Sequence, residues 1–75
     1  MFTVRTARVV GERHLKMWVQ GERNRAFDAI AFNSLDPQAE APLPQGERRL
    51  VYRLDVNEYQ GERRLQLLVD HILDP

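Results

Sequence analysis

The chain has 75 residues, of which 43% are hydrophobic and 29% charged, and its formal net charge is zero. A chain of this length has room for one hydrophobic core, so we expect residues 1–75 to form a single domain. The absence of cysteine excludes disulfides and thiolate zinc sites, and it favours a cytoplasmic location. Because no apolar stretch is long enough to span a bilayer and the first residues lack a signal-peptide pattern, no membrane partner is expected.

The zero net charge hides an uneven distribution. Residues 1–25 carry six basic and two acidic side chains, whereas residues 26–75 carry five basic and nine acidic ones. A balanced charge argues against a protein that holds nucleic acid by bulk electrostatics alone. One basic end is compatible with a polyanion site and also with an ordinary solvated face of charged strands.

All four glycines begin the same tripeptide, Gly-Glu-Arg, at residues 11, 21, 46 and 61. The unequal intervals exclude a repeat of fixed period and indicate positions where successive strands begin or reverse. Glycine supplies the positive φ that tight turns require, and the charged pair after it keeps the turn in water.

Between the glycines, apolar residues alternate with period two, which predicts half-buried strands. The five predicted strands, the first two of which form a hairpin, are Phe2 to Val10, His14 to Gln20, Arg25 to Phe32, Arg49 to Val56 and Arg64 to Ile72.

The same alternation assigns residues to the two faces of each strand. The second strand has an apolar face of Leu15, Met17 and Val19 and a basic, aromatic face of His14, Lys16, Trp18 and Gln20. The residues predicted to point inward from the fourth strand are Leu50, Tyr52, Leu54 and Val56. The last strand has apolar residues on both faces, which predicts burial on both sides: Leu65, Leu67 and Val69 on one, Leu68 and Ile72 on the other.

Residues 33–45 interrupt the pattern and contain three of the four prolines, Pro37, Pro42 and Pro44. A loop of this length is uncommon in a small domain, and we expect it to be mobile. The prolines allow at most one helical turn, from Ser34 to Glu40 with Ser34 as its cap.

An open sheet of five strands would leave two unpaired edges, which a closed barrel removes. Five short strands with a long Pro-rich connection between the third and fourth predict an all-β, OB-fold-like Greek-key barrel. An SH3-like barrel is the nearest alternative.

The sequence lacks the residues that common enzymes need. Ser34 is the only serine and lies in no G-x-S-x-G motif, and neither H-E-x-x-H nor a phosphate-binding glycine loop occurs. His14 and His71 lie at opposite ends of the chain, and the three carboxylates Asp28, Asp55 and Asp70 belong to different strands without a shared motif. We therefore expect no catalytic residue, cofactor or metal in this chain.

The spacing His14-x-Lys16-x-Trp18 places rings and a cation on one strand face, which is typical of single-strand binding. Burial in the core, or packing on another domain, is an equal alternative for Trp18, while Phe27 and Tyr52 are assigned to the core. For each arginine the alternative is a solvated strand face. The candidate nucleic-acid-binding residues are Arg5, Arg8, His14, Lys16, Trp18, Arg25, Arg53 and Arg64.

Four segments together resemble a known family: VVGERHLKM at 9–17, FDAIAF at 27–32, VYRLDVNEYQG at 51–61 and LQLLVDHI at 65–72. They are similar to the C-terminal domain of the RecJ family of bacterial exonucleases, which degrade single-stranded DNA from 5′ ends. The resemblance covers nearly the whole chain apart from the Pro-rich loop.

The resemblance implies an OB-fold appended to a separate catalytic core that uses a divalent metal, Mg or Mn, to hydrolyse phosphodiesters. None of the family's catalytic motifs is present here. The chain would then be the C-terminal fragment of a larger exonuclease, and it would guide single-stranded DNA toward that core. Since the family's binding residues form a surface rather than a short signature, the candidate residues come from the strand pattern alone.

The alternative function is protein docking. Such a module would brace its own catalytic core, or bind the acidic tail of the single-strand-binding protein through the basic patch. It predicts an exposed apolar patch at Trp18, or on the face of Leu68 and Ile72.

Overall fold

The computed structural model describes residues 1–35 and 42–75, with Tyr59 described by its strand position alone. Its five strands are β1 Phe2–Val10, β2 His14–Gln20, β3 Ala26–Ala31, β4 Gly46–Tyr59 and β5 Glu62–Leu73, with one 3-10 turn at Glu22–Asn24. The all-β prediction is confirmed. β1 and β2 have the predicted limits, β3 is shorter by one residue at each end, and β4 and β5 extend past both predicted ends.

The strands pair in the order β1-β2-β3-β5-β4, and β4 returns to β1, so the sheet closes into a barrel. All neighbours are antiparallel except β3 and β5, which are parallel. The closing seam consists of three residue pairs, Phe2 with Arg48, Thr3 with Glu47 and Val4 with Gly46. This arrangement is consistent with the OB-like fold expected from the strand pattern.

The glycines begin or reverse strands as predicted. Gly11 and Gly61 lie in the β1–β2 and β4–β5 turns with φ of 62° and 80°, and Gly46 begins β4 with φ of 72°. Gly21 differs, because its φ is −100° and no turn-specific conformation is needed there. A Cβ at Gly21 would lie 3.1 Å from Cε1 of Phe2, so a larger residue there would require the Phe2 ring to shift by a few tenths of an ångström.

The barrel interior holds one core cluster. Its buried members come from all strands except β4: Val4, Leu15, Met17, Val19, Ala29, Ala31, Leu67 and Val69. The predicted inward face of β2 is thus confirmed, and Phe27 packs against the cluster from its margin. Val19 and Ala29 are completely buried, which places β2 and β3 at the centre of the packing.

The predicted inward face of β4 is wrong beyond Leu50. Leu54 and Val56 are 65% and 53% exposed, and Tyr52 is 41% exposed. The reason is that β1 pairs with β4 only as far as Arg48, after which β5 is its only described neighbour. β3 in turn pairs with β5 only at residues 66–68, so the outer part of the β4–β5 hairpin extends beyond the core. The side of this hairpin that continues the core-facing side of the barrel is therefore exposed.

Two β-bulges shift the alternation of side chains. In β1, Val4 lies opposite Val19 but Thr6 lies opposite Trp18, so Arg5 is the extra residue. In β5, Asp70 is the extra residue between the partners of Val51 and Tyr52. A bulge reverses which face the following residues occupy. The second bulge returns Ile72 to the core cluster, which corrects the prediction that β5 is buried on both sides.

The predicted loop is described at its two ends. Residues 33–35 and 42–45 contain neither helix nor strand, and Leu35 and Leu43 pack against the core. The Ser34 hydroxyl donates to the Ala31 carbonyl at 3.2 Å. The predicted helical turn and the expected mobility concern residues 36–41, which lie outside the described residues.

Candidate nucleic-acid interface

One row of side chains crosses the outer face of the barrel over four strands. Strand register aligns Thr6 of β1 with Trp18 of β2, Trp18 with Asp28 of β3, and Asp28 with Gln66 of β5. Side chains directly opposite one another on neighbouring strands are in contact range. Trp18 is 43% exposed and is bordered on both sides by polar groups. Trp18 is therefore not a core residue. Packing on another domain remains the alternative to base stacking.

A second row, parallel to the first, brings two cations together. Arg8 lies directly opposite Lys16, and Lys16 lies opposite Ile30. In the part of the chain that the structure describes, neither cation belongs to an ion pair. Like charges directly opposite one another destabilise a sheet. The fold thus holds two positive charges opposite one another beside the exposed tryptophan, with the Asp28 side chain in the adjoining row.

These two rows enclose a groove. It has a volume of about 340 Å³ and is lined by Thr6, Arg8, Lys16, Met17, Trp18 and Asp28. Two further grooves adjoin it: one of about 450 Å³ shares Lys16 and Asp28, and one of about 470 Å³ shares Trp18 and Asp28. Arg64 lines both of the adjoining grooves. Asp28 thus lines all three grooves, and Arg8, Lys16 and Arg64 are among their other lining residues.

His14 lies at the far end of the same face of β2. Its Nδ1 accepts a hydrogen bond from the Asn33 backbone N–H at 3.0 Å. Its ring meets Phe32 edge-to-face, with centroids 5.3 Å apart and an interplanar angle of 76°. Phe32 is 59% exposed. Along the outer face of β2 an aromatic ring, Trp18, is thus followed by a cation, Lys16, and then by the paired rings of His14 and Phe32.

The other candidate arginines are placed apart from this groove or already have partners. Arg5 donates from Nε to Gln20 Oε1 at 2.7 Å, and Arg53 binds Asp70 through two hydrogen bonds of 3.1 and 3.2 Å. Arg25 lines a separate hollow of about 600 Å³ together with Phe2, Phe27 and Tyr52. Arg64 lies 3.5 Å from Glu62 while facing the groove. The structure thus gathers Arg8, Lys16, Trp18 and Arg64, with His14 at one end, and their binding role stays a prediction.

The three aspartates considered as metal ligands are separated in the sheet. Asp28 and Asp55 lie on opposite sides of Gln66, and Asp70 is engaged by Arg53. Within residues 1–35 and 42–75, no group of three or more His, Asp or Glu side chains is close enough to hold an ion. Over the same residues, no helix has the length and apolar character needed to cross a membrane.

Three contributors to this surface were not among the predicted binding residues. Thr6 faces Trp18 only because of the bulge at Arg5, and a bulge leaves no period-two signal. Asp28 was visible as an outward residue between inward Phe27 and Ala29 but had been considered only as a metal ligand. Phe32 follows Ala31 in the outward phase, so alternation alone could have identified it.

Comparison with known proteins gives a consistent assignment. A family model described as the RecJ OB domain matches residues 1–71. Among curated proteins, the chain is 42% identical over 72 residues to the single-stranded-DNA-specific exonuclease RecJ of Dickeya dadantii. It is 39% identical over 74 residues to the RecJ of Haemophilus influenzae and 40% identical over 72 residues to that of Escherichia coli.

Each of these alignments covers 95% of this chain but only 12% or 13% of the relative. The match is therefore to one segment of a much longer exonuclease. No solved structure matches the chain significantly.

Proposed function

The chain belongs to the RecJ OB-domain family, and on that basis we propose that it is the non-catalytic single-stranded-DNA-binding domain of a RecJ-like exonuclease. In this role it guides the strand to a separate catalytic core, where Mg²⁺ or Mn²⁺ would bind. The names of its relatives specify single-stranded DNA as the substrate of the whole enzyme. We assign the hydrolytic step to the remainder of the enzyme, since the matched segment is only 12 or 13% of the relatives.

The observation that carries this proposal is the opposed pair Arg8 and Lys16 beside the exposed Trp18. Two like charges held opposite one another are unfavourable until an anion lies between them, and a phosphodiester supplies that anion. An exposed indole offers a stacking surface to an unpaired base of any sequence. The two features adjoin across one groove, so one nucleotide can satisfy both.

The charge pattern also orients the nucleotide. The Asp28 carboxylate lies opposite Trp18 and repels phosphate, whereas Arg8 and Lys16 attract it from the neighbouring row. The backbone is thus expected to follow the row of Arg8 and Lys16. The base lies over Trp18, where Asp28, Thr6 and Gln66 can bond to its polar edge. In a duplex both faces of each base are already stacked, so this contact selects single strands.

The proposal predicts that the 75-residue chain binds (dT)12 saturably and binds the matching duplex more weakly. Trp18 is the only tryptophan, so its fluorescence reports the contact. Affinity should fall as salt rises, since phosphate contacts release counterions. Replacing Arg8 with glutamine should reduce the slope of log K against log salt by about 0.7, the value for one phosphate contact on a single strand. It should also stabilise the fold by roughly 0.2–1 kcal/mol in urea unfolding, because the repulsion of Lys16 is removed.

Arg49→Gln is the matched control, because Arg49 lies on β4, donates to the Asp74 carbonyl at 2.9 Å and lines none of the grooves around Asp28. It removes the same charge and should leave the salt slope unchanged. Equal slopes for the wild type and Arg8→Gln would contradict the phosphate contact. If an acidic peptide, and not (dT)12, binds at low salt in a manner that depends on Arg8, the basic row is a docking site for an acidic protein tail instead.

A second candidate function, protein docking, has its own supporting observation. Leu54, Val56 and Leu65 are 65%, 53% and 49% exposed on the inner face of the projecting β4–β5 hairpin. They continue the apolar surface that is buried at Leu67, which lies opposite Leu54. We propose that this patch packs on the remainder of the parent exonuclease, since the relatives extend far beyond the matched segment. Of the two places where the docking hypothesis had put exposed apolar residues, Trp18 is indeed 43% exposed, whereas Leu68 and Ile72 are half-buried.

The docking function predicts that Leu54→Ser combined with Val56→Ser lowers the stability of the full-length enzyme but not that of the isolated chain. The chain would replace the matching segment of Escherichia coli RecJ, and thermal unfolding would be recorded. The double substitution should lower the midpoint of that enzyme by roughly 1 °C for each kcal/mol of lost packing, the shift expected for a protein about 600 residues long. In the isolated chain the same substitutions should leave urea unfolding nearly unchanged, because both residues are exposed there.

Val51→Ser on the outer face of the same strand serves as the control, since Val51 is similarly exposed at 47%. If the double variant and the control give the same midpoint in the full-length enzyme, the patch does not dock.

A further inference from the structure

We propose that Phe32, held in place by His14, is a second base-stacking platform of the interface, and that it contacts a different nucleobase from the one at Trp18. The inference depends on the single-strand-binding function proposed above and adds a subsite to it. The observation behind it is that Phe32 is 59% exposed and lines none of the three grooves around Asp28.

The position of Phe32 follows from the end of β3 and from its contact with β2. Phe32 directly follows Ala31, the last residue of β3, and begins the turn after it. Its ring contacts His14, which lies on the same outer face of β2 as Lys16 and Trp18, so Phe32 extends that face. A phenyl ring left in water at this position forgoes the free energy that burial would give it, and a stacked base would recover that free energy.

The ring is also held in one orientation before any ligand arrives. His14 contacts it edge-to-face, with centroids 5.3 Å apart. His14 is itself fixed by the hydrogen bond from the Asn33 N–H to its Nδ1 and by the close approach of Gly11, where a Cβ would lie 3.3 Å from His14 Cδ2. A ring fixed in this way loses little conformational entropy on binding a base.

The spacing indicates that two separate bases are bound. His14 and Trp18 are four residues apart on β2, which corresponds to about 13 Å at about 3.3 Å per residue. The rise per nucleotide in a B-form strand is about 3.4 Å, so one base cannot reach both rings. Lys16 lies between them on the same face and is placed to contact the intervening backbone. The order ring, cation, ring thus matches two separate bases with the connecting sugar-phosphate backbone between them.

The test moves the fluorescent reporter to the proposed subsite. In a variant combining Trp18→Phe with Phe32→Trp, the only tryptophan is at position 32, and (dT)12 should change its fluorescence saturably. The matched control combines Trp18→Phe with Leu54→Trp, which places the reporter on the opposite face at a position that is 65% exposed. Its fluorescence should not change over the same titration.

Affinity for labelled (dT)12 gives a second readout by anisotropy. Phe32→Ala and Phe32→Leu should each weaken binding roughly 5- to 150-fold, the range for loss of one stacked base, whereas Phe32→Tyr should bind like the wild type. Circular dichroism would verify that the variants fold. Wild-type affinity in Phe32→Ala, alongside weakened binding in Trp18→Ala, would overturn this subsite alone. Absence of (dT)12 binding by the wild-type chain would overturn the proposed function and the subsite together.

Discussion

Replacing Lys16 and Trp18 together with alanine is expected to cause the largest loss of DNA affinity of any change on this surface. Loss of the stacked indole alone should weaken single-strand binding by roughly 1–3 kcal/mol. Loss of Lys16 should add a reduction of about 0.7 in the salt slope. Both side chains point outward from β2, so the substitutions remove a binding surface and leave the core face of Leu15, Met17 and Val19 unchanged.

The measurement is fluorescence anisotropy of labelled (dT)12, because the variant has no tryptophan. Trp18→Phe is the control, since it keeps an aromatic face and should retain most of the affinity. Unchanged binding in a folded double-alanine variant would exclude this face of β2 from the interface. The hollow around Arg25, Phe27 and Tyr52 would then be the next surface to examine.

Replacing Leu67 with alanine is expected to cause the largest loss of stability. Leu67 is 1% exposed and lies on β5, where it pairs with Ala29 on one side and Leu54 on the other. Removing a fully buried leucine side chain costs about 2–5 kcal/mol. Domains of this size have a free energy of unfolding of roughly 4–11 kcal/mol, at about 0.05–0.15 kcal/mol per residue. The variant should therefore unfold at a much lower urea concentration, or be partly unfolded without urea.

The structure offers a matched control for this substitution in the cross-strand partner itself. Leu54→Ala removes the same atoms from the same face of the same strand pair, but Leu54 is 65% exposed. Its effect should be within about 0.5 kcal/mol. Equal destabilisation by the two variants would show that the inner face of the hairpin is covered in solution, and would contradict the exposed position of Leu54.

The parts of the fold that alternate regularly were predictable from the sequence. β2 begins and ends as predicted, and its inward face is correct at all three positions, because local alternation is sufficient where a strand is paired on both sides. β4 shows where this fails. Leu54 and Val56 alternate regularly and lie on the same side of β4 as Leu50. Whether that side is covered depends on how far β1 extends along β4, and the local sequence of β4 does not predict this.

The candidate site was predictable to the same degree. Lys16 and Trp18 follow from alternation within β2. Arg8 was proposed on its charge alone, and strict alternation from Val4 would have turned it toward the core. The extra residue Arg5 reverses the phase and brings Arg8 opposite Lys16. The functional proposal rests on Arg8 lying opposite Lys16, and this contact depends on how β1 and β2 pair, so the sequence of β1 alone does not predict it.

That bulge also bears on how such a site can be gained or lost in evolution. Deleting the single residue at Arg5 would restore regular alternation and still leave Thr6 and Arg8 opposite Trp18 and Lys16. Keeping Arg5 but pairing it with Trp18 would instead exchange the faces of every later residue in β1 and turn Arg8 inward. A homologue with a one-residue gap at this position can therefore retain the opposed cations, whereas a homologue of equal length without the bulge would keep the fold and lose them.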